Sequence, residues 1–363
     1  MFEKFDSFTF FPAQHWSHAW ERQHELIYRF ARVIDREINI FPPLGLINYN
    51  VFSAEFIKKV CNKLKKQKSI NNSQKQAKNM NFINSYYIHR FDKLSTKINY
   101  SILNSKVKLG KRNFFWATYI NPTNYLFFQK SSFKVIDLAE RRQANTQLSK
   151  QMKSLEKKAV SEADLVFVDN LATFEDYKHL NSNIKYVPQG YDATKILFEK
   201  EQDRELVGYV GHLHPHIDYE YLFRLIEINP TLTFLIVGGV LDKTALQLEK
   251  YKNVIMTGQV SKDDLQQYLE KMKYGLIPYK VNEFTKGVFP TKLFEYLGAG
   301  VPVISTPIPE VLNYQNDNYV FIEEEAKEIN YSVCLDGIED FLSGNTWDSR
   351  FNQYLRYIEE ELG

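Results

Sequence analysis

Cysteine is almost absent from this chain, and the absence removes several function classes. Only Cys61 and Cys334 occur, far apart and at no metal-ligand or redox spacing. A disulfide-stapled fold is excluded, and a reducing compartment is expected. Long apolar runs are also missing. The longest stretches, such as LTFLIVGGVL, reach about ten residues, half of what a bilayer span needs. The N-terminal MFEKFDSFTFFPAQHW lacks the long apolar region and small-residue cleavage site of a secretory signal. Charge of one sign is lacking overall: the formal net charge is only +2, so no nucleic-acid partner is indicated. No G-x-G-x-x-G follows either candidate first strand, where FPAQHW and GHLHPH stand instead. That argues against a nicotinamide-dependent oxidoreductase.

What is present is an alternation of short apolar runs with helical stretches. In the second half, apolar runs at 206–210, 232–237, 253–256, 274–278 and 302–305 read as strands. They alternate with predicted helices at 219–228, 243–250, 262–271 and 290–297. Continuous apolar strands separated by helices indicate a parallel sheet covered on both faces. Right-handed crossovers make this a doubly wound, Rossmann-like α/β domain. The first half shows the same rhythm less cleanly. Strands are predicted at 7–11, 113–118, 133–136, 165–168 and 184–188, with helices at 20–33 and 154–163. The chain therefore reads as two Rossmann-like domains facing each other across a cleft, over 1–195 and 196–345. A hinge is expected at 193–204, after Pro188-Gln189-Gly190-Tyr191-Asp192. A helix at 346–363 is expected to pack back on the first domain.

One stretch departs from the balanced charge. From Phe56 to His89 there is no acidic residue, while Lys58, Lys59, Lys63, Lys65, Lys66, Lys68, Lys75 and Lys78 all fall inside. The part near 65–81, rich in Asn, Gln and Ser, is predicted to be a loop. It reads either as a solvated basic loop or as a contact, across Lys58 to Lys78, with an anionic membrane surface.

The most informative segment is VFPTKLFEYLGAGVPV, 288–303. Pro290 suits the first turn of a short helix, and Gly298, Gly300 and Pro302 supply its stop. The helix N-terminus offers free N–H groups for phosphate, and Lys292 adds a full charge. A lysine there opposes the helix dipole, so a bound diphosphate is a reason for its presence. Lys292 and Glu295 are spaced i, i+3, and a carboxylate at that place can accept both hydroxyls of a ribose. A plain surface salt bridge between the two is the competing reading.

The run PTKLFEYLGAGVPVIST resembles the donor motif of GT-B-fold glycosyltransferases, nearest to the bacterial cell-wall and exopolysaccharide (teichuronic-acid-type) branch of retaining family four. GYVGHLHPHIDYEYLFRLIEINPTLTFLIVG and NVIMTGQVSKDDLQQYLEKMKYGLIPY resemble the same branch, so the likeness covers about 200–310. It implies a nucleoside-diphosphate-sugar donor, with UDP the expected nucleotide, and no further cofactor. Glu295 would hold the ribose, Thr291 and Lys292 the diphosphate, and Gly211 would let the loop approach the donor. Val260 would lie near the base. The family's first glutamate, eight positions before the ribose-binding one, is Gly287 here. The Arg and Lys of its phosphate clamp are replaced by His212-Leu-His-Pro-His216, and Lys286 is the candidate to compensate. No Asp-x-Asp metal element is present, so metal-independent donor binding is expected.

The N-terminal likeness is weaker. FPAQHWSHAWERQHELIYRFA resembles the opening strand, loop and helix of the branch, with Trp16, Arg22 and Gln23 at its marked positions. SFKVIDLAERR resembles a strand ending in paired carboxylates, here Asp137 and Glu140, directed into the interdomain crevice. Either could act as general base or orient the acceptor. The alternative for each is capping, or pairing with Arg141 or Arg142. His15, after the first strand, is a further acceptor-side candidate. The resemblance implies transfer to a hydroxyl of a glycan or lipid-linked glycan, in the cytoplasm and peripherally at the inner membrane face. The competing reading is a catalytically weak homologue serving as a binding or assembly subunit.

Overall fold

The computed structural model describes residues 1–16, 20–43, 75–83, 92–139, 141–192, 204–261 and 264–363. Two compact units emerge. One comprises Met1–Val168, Thr173–Val187 and Gln353–Gly363, and the other Asp169–Ala172 and Pro188–Asn352. The expected hinge, apart from Arg204, lies outside the described residues. The last residues of the long helix Trp347–Leu362 thus belong to the first unit.

The first unit is built on β1 (Ser7–Phe11), β2 (Ile38–Ile40), β3 (Met80–Phe82), β4 (Asn113–Ala117), β5 (Phe133–Leu138), β6 (Leu165–Val168) and β7 (Ile184–Tyr186). Its order among the described residues is β3-β2-β1-β4-β5-β6-β7, with every pairing parallel. Aromatic rings fill this core: Phe8, Phe10, Phe30, Phe114 and Phe127 are wholly buried, and Phe11 stacks on Phe41 at 4.5 Å. Burying rings of this size supplies much of the apolar area that offsets chain entropy.

The second unit carries β8 (Leu206–Val210), β9 (Thr233–Val237), β10 (Val254–Gly258), β11 (Met272–Ile277), β12 (Val303–Ser305) and β13 (Val320–Ile322). The order is β10-β9-β8-β11-β12-β13, again parallel throughout. In both sheets the chain order reverses beside the first strand, at β1/β4 and at β8/β11. Such a switch point parts the connecting loops and opens a crevice at the strands' carboxyl ends.

Several expectations change. Residues 75–81 of the predicted loop are described and end in β3, because Met80-Asn81-Phe82 pairs with Ile38–Ile40. Lys243–Lys250 is a 3-10 helix. The short helix begins at Lys292, with Thr291 as its N-cap, so Pro290 precedes it and does not occupy its first turn. Lys93–Asn104 and Pro122–Gln129 are helices absent from the sequence expectation, although Leu94, Ile98 and Ile102 of the former recur at helical spacing. The former buries Ser95, Thr96 and Asn99, and the latter is buried on most sides. Local capping marks their starts. Asp92 accepts from the Leu94 and Ser95 N–H groups, and Asn121 forms a capping box with Asn124. No described helix is long and apolar enough to cross a membrane.

One close approach ties sheet to site. Register between β8 and β11 ends at the Gly208–Gly275 pair. Beyond it the Val210 N–H donates to the Tyr296 hydroxyl at 2.8 Å, and that hydroxyl donates to the Leu276 carbonyl at 3.3 Å. The ring needs a glycine beneath it: a Cβ on Gly275 would stand 2.5 Å from Tyr296. Gly275→Ala should therefore destabilise the protein by about 1–3 kcal/mol through overpacking. A urea melt checks this, and an unchanged midpoint would show that Tyr296 moves freely.

Candidate functional site

Gly211 follows β8 at the switch point with φ +134°, a conformation that side chains resist. Its N–H donates to the Val237 carbonyl at 2.8 Å. A Cβ at Gly211 would meet Lys292 Cε at 2.6 Å and Nζ at 2.8 Å. The lysine stem therefore lies directly on the glycine turn. Lys292 Nζ donates to the Tyr279 hydroxyl at 2.9 Å and lies 5.6 Å from the ring centroids of both Tyr209 and Tyr279. Two aromatic faces and a hydroxyl thus hold one ammonium in place. The expected alternative, a salt bridge from Lys292 to Glu295, does not form. Half-buried Glu295 has no hydrogen-bonded or ion-paired side-chain partner among the described residues.

The loop 211–218 is pinned on both flanks. Leu213 bridges to Val240, and Ile217 to Tyr279. The Asp218 N–H reaches the Pro278 carbonyl at 2.7 Å, and the Lys280 N–H reaches the His216 carbonyl at 2.9 Å. Tyr279 is fixed in turn by Thr306, whose hydroxyl bonds both its N–H and its carbonyl. Within the loop, the His216 N–H donates to His214 Nδ1 at 3.1 Å, so in neutral His214 the proton sits on Nε2. Burial, then the charges of Lys292, His216 and His212, push the His214 imidazole down to about 4. His214 and Tyr279 are therefore candidate site residues that sequence reasoning did not single out. Tyr279 gave a faint signal, as the aromatic ending the strand run LIPY.

The other expected donor residues are placed as follows. His212 is exposed, with its carbonyl accepting from the Tyr209 hydroxyl at 2.9 Å. Val260 follows β10 and packs, half-buried, against the core. Thr291 is exposed at the helix start and its side chain makes no capping bond. Lys286, half-buried in the 3-10 helix Thr285–Gly287, is ion-paired with exposed Glu283 at 2.7 Å.

In the first unit Asp137 needs correction. It was expected to point from its strand into a crevice, yet it is fully buried within β5. Arg22 Nε and Nη2 donate to its Oδ1 at 3.2 and 3.1 Å, and the Tyr354 hydroxyl donates to the same oxygen at 2.9 Å. Its partner is thus neither Arg141, which pairs with Asp176, nor Arg142, which pairs with Glu156. Burial pushes the Asp137 carboxyl upward against the pull of Arg22 and Tyr354. Glu140 lies outside the described residues. His15 is half-buried in the turn after β1. Gln23 holds that turn, its Oε1 accepting from the Ala13 and Gln14 N–H groups at 2.6 and 3.2 Å. The Arg22-Gln23 pair therefore locks a buried carboxylate with one residue and a site loop with the next.

Residues 204–334 match the family model described as Glycosyl transferases group 1. Over this segment, about a third of the chain, the protein is similar to that family. Over 162 residues the chain is 30% identical to TuaH of Bacillus subtilis (strain 168), provisionally named a teichuronic acid biosynthesis glycosyltransferase. That match spans 43% of this chain and 40% of TuaH. Among solved structures, Anabaena Alr3699/HepE, in complex with UDP and glucose, aligns at TM-score 0.63 and 11% identity. It covers 97% of this chain and 99% of its own. A glycosyltransferase from Rickettsia africae ESF-5 aligns at TM-score 0.64 and 8% identity, over 99% of both chains. S. aureus TarM aligns at TM-score 0.55 and 12% identity, covering 98% of this chain and 96% of its own. The fold is GT-B.

Within the matched segment, Gly211, Lys292, Tyr279 and His214 form one connected group, with Glu295 one turn beyond Lys292. A phenol and an imidazole adjoin the lysine in a loop that has no arginine.

Two outcomes are expected. Arg22→Met leaves a buried carboxylate unpaired and should cost about 3–5 kcal/mol, read as a loss of roughly 10 °C in Tm. His214 has a folded pKa of about 4, below its ordinary 6.5. The unfolded chain therefore takes the proton first, and stability falls as pH drops from about 6.5 toward 4. His214→Asn should show a smaller acid-side loss of Tm than the wild type. An equal loss would mean that His214 is already solvated.

Proposed function

We propose that the chain transfers a sugar from a nucleoside diphosphate, with UDP the favoured nucleotide, to a hydroxyl of a glycan or lipid-linked glycan in cell-wall or exopolysaccharide assembly. One observation carries this reading. Lys292 is held on the Gly211 turn by Tyr279, and Glu295, one turn on, has no hydrogen-bonded or ion-paired side-chain partner among the described residues. A structural pair would have joined the two charges. Kept apart on one helical face, they suit a diphosphate and a ribose. The family match, the likeness to TuaH and the UDP bound by HepE support the same reading.

In this scheme the anomeric carbon–oxygen bond to the diphosphate breaks and a new bond forms to the acceptor oxygen. Lys292 stabilises the negative charge that gathers on the leaving diphosphate. Thr291 and the His214 Nε2–H donate to phosphate oxygens, and Gly211 admits the phosphates close to the backbone. Glu295 accepts from the ribose hydroxyls, and Val260 faces the base. Tyr279 is a positioning residue, because it acts through Lys292. The acceptor proton passes to a base for which His15 and Glu140 are the candidates. Asp137 is given a structural role. Cytoplasmic placement and metal-independent donor binding belong to the same proposal.

A catalytically weak binding subunit is the second reading, motivated by Gly287 and by the loop without arginine. Thermal-shift measurements across nucleoside diphosphates and their sugars test both. A ligand at a hundred times its dissociation constant should stabilise the fold by roughly 2.7 kcal/mol. One nucleotide should raise Tm in the wild type and fail to do so in Glu295→Ala and Lys292→Met. Donor hydrolysis by the purified chain would reject the subunit reading. No shift with any nucleotide, for a folded protein, would overturn the donor site.

A further inference from the structure

The helix Lys93–Asn104 is turned the opposite way from an ordinary amphipathic helix. Ser95, Thr96 and Asn99 are buried beneath it with Leu103, at 7, 8, 1 and 3% exposure. Leu94, Ile98 and Ile102 face outward, at 69, 39 and 37% exposure. Their i, i+4, i+8 spacing places the three aliphatic chains in one row about 12 Å long. Exposed aliphatics scattered singly need no explanation, but a row on one helix does.

The charge along this part of the chain is mostly of one sign. Lys93 and Lys97 are exposed on the same helix, and Lys106, Lys108 and Lys111 are exposed just after it. Lys130 lies over the ring of Tyr100, a residue of this helix, at 4.5 Å. Asp92 is the sole acid between Phe56 and Ile136, a stretch that holds 17 lysines and arginines. Its carboxylate is turned back on the helix start, accepting from the Leu94 and Ser95 N–H groups and the Ser95 hydroxyl. In a chain of net charge +2, this concentration is local.

We infer that the outward face of Lys93–Asn104 is a docking surface for an anionic lipid bilayer, with Leu94, Ile98 and Ile102 entering the headgroup boundary and the lysines meeting lipid phosphates. An aliphatic row fringed by lysines matches an interfacial helix, which adds apolar burial to attraction for anionic headgroups. A nucleic acid would use the lysines but leave the row uncovered. A second copy of the chain would cover the row but set lysines against lysines. The inference stands on this helix and not on the donor site.

Flotation of the full chain with vesicles of phosphatidylcholine, with and without phosphatidylglycerol, is the test. The wild type should float with the anionic vesicles and release on added salt. Replacing Leu94, Ile98 and Ile102 together by serine should lower partitioning about tenfold or more. Lys93→Glu with Lys97→Glu should lower it and blunt the salt response. Both variants change exposed positions, so an unaltered melt and an unaltered nucleotide-induced shift would confirm that the fold and donor site are intact. Absence of wild-type binding would overturn the proposal, as would full binding by a folded serine variant. It would also fall if the serine variant altered only the oligomeric state in gel filtration, or only affinity for an oligonucleotide.

Discussion

The hydroxyl of Tyr296 stands where β8 and β11 stop pairing, and it satisfies a backbone group from each strand. A buried N–H or carbonyl left unmade costs more than an ordinary hydrogen bond returns, so this insertion fixes the carboxyl end of β8. The residue after Val210 is Gly211, on which Lys292 lies. Tyr296 belongs to the same seven-residue helix as Lys292 and Glu295. Gly275, Tyr296, Gly211 and Lys292 thus form one packed chain of contacts, each setting the position of the next.

On the proposed donor reading, a pinned loop and a held lysine prepare the site for a diphosphate. A flexible ammonium near a diphosphate would lose side-chain entropy on binding. Here Tyr279 and Tyr209 restrict it beforehand, and Thr306 restricts Tyr279. His214 contributes differently. Kept neutral by burial beside Lys292, with Nδ1 occupied by the His216 N–H, it presents a hydrogen-bond donor without a second positive charge. In a loop that lacks arginine, that arrangement avoids repulsion between adjacent cations.

The first unit uses buried polarity for architecture. Asp137, Arg22 and Tyr354 lock a strand, a helix and the C-terminal segment of that unit together. Gln23, one residue from Arg22, holds the turn that carries His15. A carboxylate at a strand end was legible in the sequence, but its burial was not. Whether such a group faces solvent or a guanidinium depends on a partner 115 residues away in the chain. The helix Lys93–Asn104 escaped sequence reasoning for a related reason. Its apolar row has a helical period, but that period points to the wrong buried face, because the polar side is the one packed inward.

The sequence by itself determined the alternation of buried strands and helices, the parallel sheets and the short helix bearing Lys292 and Glu295. Those features follow from local hydrophobic period and from glycine and proline punctuation, which neighbouring residues encode. Tertiary structure alone decided that Lys292 turns to Tyr279 and away from Glu295, that His214 sits neutral beside it, and that Asp137 is sealed by Arg22. Each depends on groups brought together across tens to hundreds of residues, where packing and desolvation, and not spacing along the chain, select the partner.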